Sequence, residues 1–396
     1  MVQHPAVRQV EPVQLPQEPG EELPRFLLRD SANLATEQVI VTLPGLYMVE
    51  LADGSRSISD ITQSLHELTG LSVQETQTQQ LLECLDQRFL LDNERARMRL
   101  AELSPRPMRH AGSGYPTSLV ELEPFLDDLL AVESKTRTDT ACRASILPHI
   151  DFFRGRESYR AGYQHLHGLA QADQPPTVVI LGISHAYSRT PFILTKKSFD
   201  TPLGVVQTDT DLVDQLAENL PFDPYKDEYN HIGEHSVEFH AVLLKRLAPE
   251  VRIVPVLCRS FHEAIQGGFD PLQLPGVSNF LQNLTKLRST RPDIHFMASV
   301  DLAHMGVDFG GPPLSREFLT DLERRDLETL KGVSQGKACD FFATHQADKG
   351  ERNYCGTPAI HLLLSLFPEP FELQRYQQCT DPNLGSTVTV CAATLR

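Results

Sequence analysis

TVVILGISHAY, residues 177–187, is an apolar run that stops abruptly at Ser184 and His185. Its length and nearly unbroken apolar character are typical of a strand buried at the centre of a sheet. In α/β sheets the carboxyl ends of such strands open into the crevice where ligands bind. His185 is therefore a candidate functional residue, and the alternative is a capping or hydrogen-bonded histidine of the core.

From about residue 139 onward, apolar runs alternate with amphipathic segments. The predicted strands are 141–147, 177–183, 251–258, 293–300 and 386–394. The predicted helices are 158–172, 209–219, 235–247, 276–290, 315–332 and 356–367. This alternation is typical of an α/β fold in which helices cover both faces of a sheet.

The composition limits the classes of partner and compartment. The formal net charge is −16 and no block of Lys and Arg stands out, so a nucleic-acid partner is not expected. The chain starts without the apolar segment of a secretory signal, and no run approaches the roughly 20 apolar residues that span a membrane. The seven cysteines form no CxxC pair, which favours free thiols over a disulfide framework. We expect a soluble cytoplasmic protein.

The first third of the chain divides by composition. Residues 1–24 are rich in Pro, Gln and Glu and predict a disordered tail. Residues 25–95 predict a compact domain. Residues 96–138, with SPRP, AGSGYP and ELEPF, predict a linker with a short helical stretch before a second domain over 139–396.

The compact domain shows helix-start and helix-stop signals. Its pattern predicts, in order, a strand over 39–51, a turn over 53–57, a helix over 59–70 and a helix over 72–91. Ser59 is the expected N-cap of the first helix, and Gly70 ends it. Ser72 and Glu75 form the expected capping box of the second helix.

This order of elements, with the sequences DGSRSISDITQSLHELTG and DQRFLL, resembles the PqqD-like family of winged-helix modules. The resemblance implies recognition of a leader peptide, which that family clasps against its small sheet. DNA binding is the rival function of a winged helix, but residues 25–95 hold five Lys and Arg against eleven Asp and Glu. We expect a peptide-recognition module; a purely structural appendage is the alternative.

Polar residues follow three of the predicted strands. SILPHIDFF places His149 and Asp151 after the first strand, and His185 follows the second. HFMASVDLAHMG places Asp301 and His304 after the fourth. Two imidazoles with one anionic ligand suit iron, copper or zinc, and three protein ligands leave positions open for catalysis. Asp301 and His304 could then orient the ligands or move protons.

NHIGEHSVEFH, residues 230–240, is a second histidine-rich stretch. His235 and Glu238 are three residues apart, so one helix face could present both. The spacing is not that of HExxH, which disfavours a zincin-type site. Glu234 and His235 could instead simply cap the helix.

Cys355 in YCGTPAIHLLLSLF immediately precedes a predicted helix with Pro358 in its first turn. A helix N-terminus favours negative charge, so the Cys355 thiolate is expected to be stabilised. No other cysteine has such a position.

Eight motifs in order resemble the Memo family, the AmmeMemoRadiSam system protein B group, over residues 139–396: PHIDFF, GISHAY, TPLG, EHSVEFH, IVPVLC, SVDLAHMG, YCGTPAI and STVTVCAA. Its members are similar in fold to class III extradiol dioxygenases of the LigB type. The resemblance therefore implies a central mixed sheet flanked by helices.

The same resemblance implies a metal site and its surroundings. The implied metal ligands are His149, His185 and Cys355. Asp301 corresponds to a family site residue, and the residues implied to line the same cavity are His304, Glu234 and His235. Ser184 is expected to hold the turn that aims the His185 imidazole.

The chain departs from the family pattern at three motifs. The usual PHAGY is PHIDF, so Asp151 occupies a glycine position beside the first ligand. Ala186 stands where the family often has a second histidine, and SSD has become SVD. Asp151 could itself be a ligand, which would turn the site toward two histidines and one carboxylate.

Three functions remain open at this level. The first is a redox enzyme that uses iron or copper, with zinc as a further possibility for the metal. The second is a scaffold that presents a peptide to a radical-SAM partner protein. The third, least favoured, is a metal-assisted hydrolase.

Overall fold

The computed structural model describes residues 3–17, 23–35, 37–130 and 142–396. The chain forms two compact units, Met1–Ser104 and Pro105–Arg396, here called the N-terminal unit and the C-terminal unit. Throughout the described ranges, each helix is too short or too polar to cross a membrane.

The N-terminal unit combines an antiparallel sheet, in the order β1-β2-β3, with helices. Its elements are β1 (Glu11–Gln14), β2 (Arg25–Arg29), β3 (Val39–Thr42), α1 (Leu43–Leu51), α2 (Ile58–Thr69), α3 (Glu75–Gln87) and α4 (Glu94–Glu102). Apolar side chains of the sheet and of α1 to α3 form one core, in which Ile61, Leu65 and Leu85 are completely buried. The assignment of this unit as a PqqD-like winged helix stays a prediction.

The disordered tail predicted for residues 1–24 is wrong for the described residues 3–17. β1 pairs with β2, and the Arg8 guanidinium donates to the Asp30 carboxylate at 2.8 and 3.2 Å with both side chains buried. A buried, paired charge and a strand ladder hold this segment despite its polar composition. Residues 1–2 and 18–22 lie outside the described residues.

The strand predicted over 39–51 is too long. Only Val39–Thr42 is a strand, and the chain continues directly into α1 with Pro44 in the first turn, where its missing N–H costs nothing. The predicted linker contains more helix than the one short stretch expected, because most of α4 and a helix over Leu119–Leu129 lie in it. Its residues 131–138 are outside the described ranges.

The predicted helix starts are also displaced. The N-cap of α2 is Ser57, not Ser59, because Asp60 stands three residues beyond Ser57 and returns its hydrogen bond. Gln74 takes the place of Ser72 at the start of α3. Gly70 ends α2 with a left-handed φ of 72°, as expected.

The C-terminal unit contains the larger sheet. Its strands are β4 (Ala144–Leu147), β5 (Thr177–Ile183), β6 (Phe192–Leu194), β7 (Gln207–Thr208), β8 (Arg252–Cys258), β9 (His295–Ser299), β10 (His304–Gly306), β11 (Glu372–Thr380) and β12 (Ser386–Leu395). Its helices are α5 (Leu119–Leu129), α6 (Phe152–Tyr163), α7 (Thr210–Ala217), α8 (Asn230–Gly233), α9 (His235–Leu247), α10 (His262–Gly267), α11 (Val277–Thr290), α12 (Arg316–Ser334), α13 (Ala338–Ala347) and α14 (Thr357–Leu366).

The sheet is mixed, which confirms the predicted fold class. Its order is β10-β12-β4-β9-β5-β8-β6, with β11 beside β12 and β7 beside β8. The centre, β4-β9-β5-β8, is parallel, whereas β12 and β6 pair antiparallel at its two sides. β11 was not predicted, because its sequence ELQRYQQCT is polar and half-buried at an edge.

Helices cover both faces of this sheet. On β5, Val179, Leu181 and Ile183 join a core with α7, α11 and α14. Val178 and Ile180 point to the other face and join a second core with α5, α6 and α9. Both faces of β5 are buried, which explains why the run of apolar residues in TVVILGISHAY is nearly unbroken.

The direction of the parallel central strands determines where the candidate site lies. β4, β9 and β5 are neighbours and run in the same direction. His149, Asp301 and His185 follow their carboxyl ends within two residues. The three side chains therefore start from one edge of the sheet, as the sequence indicates.

Candidate metal centre

Three histidines gather at this edge. One ring nitrogen of each of His149, His185 and His235 lies within 4.8 Å of the others. The ring centroids are 5.2 Å apart for His149 and His185, 5.0 Å for His149 and His235, and 4.8 Å for His185 and His235. The His149 side chain is 1% exposed, but those of His185 and His235 are 39% and 29% exposed. The cluster is thus closed at His149 and reachable from solvent beside the other two rings.

His149 is held from both its backbone and its ring. The carboxylate of Asp301 accepts hydrogen bonds from the backbone N–H groups of His149 and Ile150 at 2.8 and 3.0 Å. The Nδ1 atom of His149 lies 2.9 Å from the Ser299 carbonyl oxygen, so Nδ1 carries the proton and donates it. Nε2 is then left with a lone pair for a ligand.

Glu234 orients His185 and His235 together. Its carboxylate lies 3.0 Å from Nδ1 of His185 and 3.2 Å from Nδ1 of His235, and it accepts from the His185 backbone N–H at 3.1 Å. It also caps α9 by accepting from the backbone N–H groups of His235 and Ser236. The sequence left two interpretations of Glu234 open, a helix cap and a site residue. The same carboxylate makes both sets of contacts. A carboxylate on Nδ1 keeps Nε2 of each imidazole available to a metal.

Gly182 allows α9 to approach the strand that carries His185. A Cβ atom at Gly182 would lie 2.6 Å from the Ser236 hydroxyl oxygen. That hydroxyl bonds the backbone N and O of Ile183 at 3.1 and 3.2 Å. At the next position, the Ser184 hydroxyl donates to the Ala186 carbonyl at 2.8 Å and closes the turn around His185. The glycine inside the opening stretch is therefore a packing requirement of the site.

Cys355 lies beside the cluster. Its Sγ is 3.3 Å from Nε2 of His149 and 3.4 Å from the Asp301 carbonyl oxygen. The stabilisation expected from the helix N-terminus is opposed by burial, which raises the pKa of Cys355 above its ordinary value. A neighbouring metal ion would favour the thiolate again.

The charges of the cluster are set by burial and by Glu234. Burial lowers the pKa of His149 and of His235 well below the ordinary range, which keeps both rings neutral as metal ligands must be. Burial also lowers the pKa of His185, but the Glu234 charge and the hydrogen bonds with Cys355 and Glu234 together outweigh it and raise that pKa well above the ordinary value. The partly exposed His185 ring is thus the cluster member that most readily holds a proton.

Asp301 and His304 border the centre. Asp301 Oδ2 is 3.9 Å from His149 Nε2, and burial raises the pKa of this carboxyl. The His304 Nδ1 atom lies 3.1 Å from the carbonyl oxygens of Leu302 and Asn353. Asp301 thus contacts the first histidine of the cluster directly, while the role of His304 stays a prediction.

Asp151 has a role other than the one considered from the sequence. Its carboxylate caps α6 by accepting from the backbone N–H groups of Phe153 and Arg154, and it also pairs with the Arg154 guanidinium. The carboxylate is committed to the helix start, so we correct the suggestion that Asp151 is a ligand. The cap also explains why α6 begins at Phe152 rather than near the predicted residue 158.

The sequence did not indicate a buried ion pair that supports the start of α9. Arg106, fully buried, forms an ion pair with Glu238 and donates to the carbonyl oxygens of His231 and Glu234 at 2.8 and 2.7 Å. Tyr115 donates to the same Glu238 carboxylate at 2.7 Å. These contacts fix the start of α9 and hence His235. Arg106 and Tyr115 lie in the predicted linker, where no local pattern pointed to them.

The donors fit a transition-metal ion. Three imidazoles and one thiol are borderline and soft ligands of the kind that iron, copper and zinc take in proteins. The Nδ1 atoms of His149 and His185 each have a hydrogen-bond acceptor, Nδ1 of His235 lies 3.2 Å from Glu234, and three ring nitrogens lie close enough to share one ion. The cluster could therefore hold a metal ion.

Comparison with known proteins places these features in a family. The Memo-like protein family model matches residues 106–396. A MEMO1 family protein of Aquifex aeolicus is 27% identical, over 84% of this chain and 95% of its own length. A MEMO1 family protein of Thermus thermophilus is 26% identical, over 71% and 82%. One of Thermococcus kodakarensis is 27% identical, over 51% and 66%.

The matched segment begins at Arg106, the residue that braces α9, and runs through the whole C-terminal sheet to the last residue. It thus takes in the end of the predicted linker as well as the three histidines. With more than half of its length matched in this way, the chain belongs to the Memo family.

Proposed function

We propose that the C-terminal unit is a metal-dependent redox enzyme that binds iron or copper through His149, His185 and His235, with the Cys355 thiolate as a further ligand. The observation that carries the proposal is the convergence of three imidazole nitrogens within 4.8 Å, with Nδ1 of His149 and of His185 each hydrogen-bonded to an acceptor. His149 and His185 belong to the ligand set expected from the sequence, and the proximity of His235 extends that set.

The choice of a redox metal rests on the ligands and on access. A mixed imidazole and thiol set suits iron and copper as well as zinc. Iron or copper held there would supply one-electron chemistry toward oxygen or a small substrate. Zinc would instead favour hydrolysis, which is the less supported alternative. The exposed sides of His185 and His235 offer the entry for a substrate.

The protein groups around the centre have separable tasks. Glu234 keeps the Nδ1 proton on His185 and orients its ring. Asp301, whose pKa burial raises, is suited to hold a proton 3.9 Å from Nε2 of His149. His304 beside it is suited to pass that proton outward, since its ring is only partly buried.

Metal analysis of the purified protein tests this proposal. We expect about one transition-metal ion per chain, and a several-fold lower content in His149→Ala, His185→Ala and His235→Ala. His66→Ala, which removes an exposed histidine of the N-terminal unit, is the matched control and should keep the metal. Full occupancy in all three cluster variants would refute the ligand assignment.

Electron paramagnetic resonance under argon and under air then tests the redox assignment. A signal that changes on admission of oxygen is expected for a redox-active iron or copper ion. Zinc as the only metal, with no signal under argon or under air, would reject the redox enzyme and favour the hydrolase.

We propose as a second function that the N-terminal unit binds a peptide and thereby links the protein to a radical-SAM partner. β3 is an edge strand of the small sheet, and the Ile40 side chain on it is 50% exposed. An exposed edge strand with an apolar side chain can add a peptide as a further strand. The excess of acidic residues over 25–95 supports a peptide over DNA.

Binding measured with residues 1–104, the whole N-terminal unit, tests this second proposal. Retention of peptides, weakened by Ile40→Glu and not by Leu68→Glu at another exposed apolar position, would support it. A salt-sensitive gel shift with duplex DNA would overturn it.

A further inference from the structure

Asp326 in α12 is a fully buried carboxylate away from the histidine cluster. Its Oδ1 accepts from the Arg352 guanidinium at 2.8 Å and from the Tyr354 hydroxyl at 2.7 Å. Its Oδ2 accepts from the hydroxyls of Tyr376 at 3.0 Å and Thr389 at 2.7 Å. A buried carboxylate is costly unless it is fully hydrogen-bonded, and four donors from three segments meet that need.

Two of these donors lie in the segment that leads directly into Cys355. Arg352 is held further by Asp348, at 2.6 Å, and by Thr329, at 3.0 Å. The segment also contains Asn353 in the left-handed region, with φ of 50°. Non-glycine residues keep that conformation where surrounding contacts enforce it. The conformation just before Cys355 therefore depends on the Asp326 contacts.

The hydrogen bonds of Asp326 also extend, through Thr389, to the segment that contains Asp301. Thr389, which donates to Asp326, accepts from the Ala303 backbone N–H at its hydroxyl at 2.9 Å. The backbone of Arg352 accepts from the His304 N–H at 2.9 Å. Finally, the Gly356 N–H donates to the Asp301 carbonyl at 3.1 Å. One buried carboxylate is thus connected to both segments that meet at the Cys355 thiol.

We infer that Asp326 is the positioning residue for Cys355: it holds the segment 352–355 so that Sγ stays beside His149 Nε2. This inference rests on the proposed metal centre only in taking Cys355 as one of its ligands. Asp326 touches neither the histidines nor a substrate. Its loss should release the thiol and leave the three imidazoles in place.

The first experiment measures alkylation of Cys355 by iodoacetamide in the full-length, chelator-treated protein, with mass spectrometry of the peptides. The exposed Cys339 serves as internal reference in the same chain. Asp326→Asn should raise the rate at Cys355 relative to Cys339 about tenfold, because losing hydrogen bonds to a buried charge favours local opening. An unchanged ratio would overturn the inference.

Two further variants separate positioning from general destabilisation. Tyr354→Phe removes one donor from the Cys355 segment, and Tyr376→Phe removes one donor from β11. We expect Tyr354→Phe to raise the ratio more than Tyr376→Phe, and equal effects would contradict a specific role. If Asp326→Asn does not fold, this pair decides the question. Asp30→Asn, at the buried ion pair of the N-terminal unit, should leave the ratio unchanged.

Cobalt loading distinguishes this inference from the proposed function. Wild-type protein should bind Co²⁺ and show a sulfur-to-cobalt absorption that is lost in Cys355→Ala. Asp326→Asn should bind cobalt through the histidines but lose most of that absorption. No cobalt binding, or no difference between wild type and Cys355→Ala, would reject the proposed ligand set. If Asp326→Asn shows the same sulfur-to-cobalt absorption as wild type, the positioning role is rejected, but the proposed ligand set is not.

Discussion

At the scale of single residues, the ability of the cluster to bind a metal depends on which nitrogen of each imidazole already contacts another protein group. Glu234 engages Nδ1 of His185 and lies near Nδ1 of His235, whereas a main-chain carbonyl engages Nδ1 of His149. These contacts select the tautomer with a free Nε2, which is the form that ligates metals. Asp151, although close in sequence to His149, is engaged by a helix start instead.

Glu234→Gln should weaken metal binding about 10- to 100-fold, since loss of a carboxylate that orients ligand histidines typically has this effect. The amide keeps one acceptor for the cap but no charge, so the His185 ring loses its anionic partner. Competition with a chelator measures the affinity. Glu157→Gln at an exposed position of α6 is a control for the same change in net charge, and equal affinities for Glu234→Gln and wild type would contradict the role of Glu234.

Asp151→Ala should destabilise the protein by about 0.5–2 kcal/mol and leave the metal content unchanged. The reason is that this carboxylate caps α6 and does not face the ligand cluster. Denaturant unfolding and metal analysis provide the two measurements. Asp151→Ser keeps a capping oxygen and should recover most of the stability, whereas loss of metal in Asp151→Ala would restore Asp151 as a ligand candidate.

At the scale of elements, the centre is a junction between strand ends and helix starts. His149 and His185 follow β4 and β5, and His235 is the first residue of α9. The two kinds of element meet because Gly182 has no side chain and Ser236 bridges to Ile183. The position of α9 on β5 therefore sets the distance between His185 and His235.

Gly182→Ala should destabilise the C-terminal unit by about 1–3 kcal/mol, because the new Cβ would overlap the Ser236 hydroxyl and push α9 away from β5. We also expect a lower metal affinity, since His235 moves with α9. Gly168→Ala is the matched control, because a Cβ at Gly168 meets nothing within 4 Å. Wild-type stability and affinity in Gly182→Ala would show that this close approach is not required.

At the scale of the whole molecule, the C-terminal unit buries several neutral histidines outside the centre. Burial lowers the pKa of His231 and of His240 to about 3. In the unfolded chain these rings titrate near 6.5, so below that pH the unfolded state binds more protons than the folded one. Their contribution therefore lowers stability as pH falls.

We expect the free energy of unfolding to fall between pH 7 and pH 5, by about 2 kcal/mol for each such histidine. Chemical denaturation at a series of pH values measures the dependence. His240→Gln, which removes one of the titrating rings, should flatten the curve by about that amount. Stability that does not change from pH 7 to pH 5 would contradict neutral burial of these rings.

Much of the fold could be predicted because its signals are local. Apolar runs located β4, β5, β8, β9 and β12 to within three residues at either end, and the prediction of a mixed sheet flanked by helices is confirmed. Polar β11 escaped because it has no apolar run, although it pairs with the adjacent β12. The structured segment 3–17 escaped because its buried Arg8 pairs with the distant Asp30. The start of α6 was misplaced because one Asp151 side chain, not periodicity, defines it.

By itself the sequence determined the class of the fold and the strand ends at which His149, His185 and Asp301 emerge. Those are properties of short segments, in which periodicity and a polar stop are visible. Only the tertiary structure decided that His235 lies among the ligand candidates rather than only along the cavity, that the Glu234 carboxylate lies beside two rings at once, and that the Cys355 thiol is 3.3 Å from His149. These relations depend on how α9, α12 and the segment before Cys355 pack on the sheet, and such packing joins residues far apart in the chain.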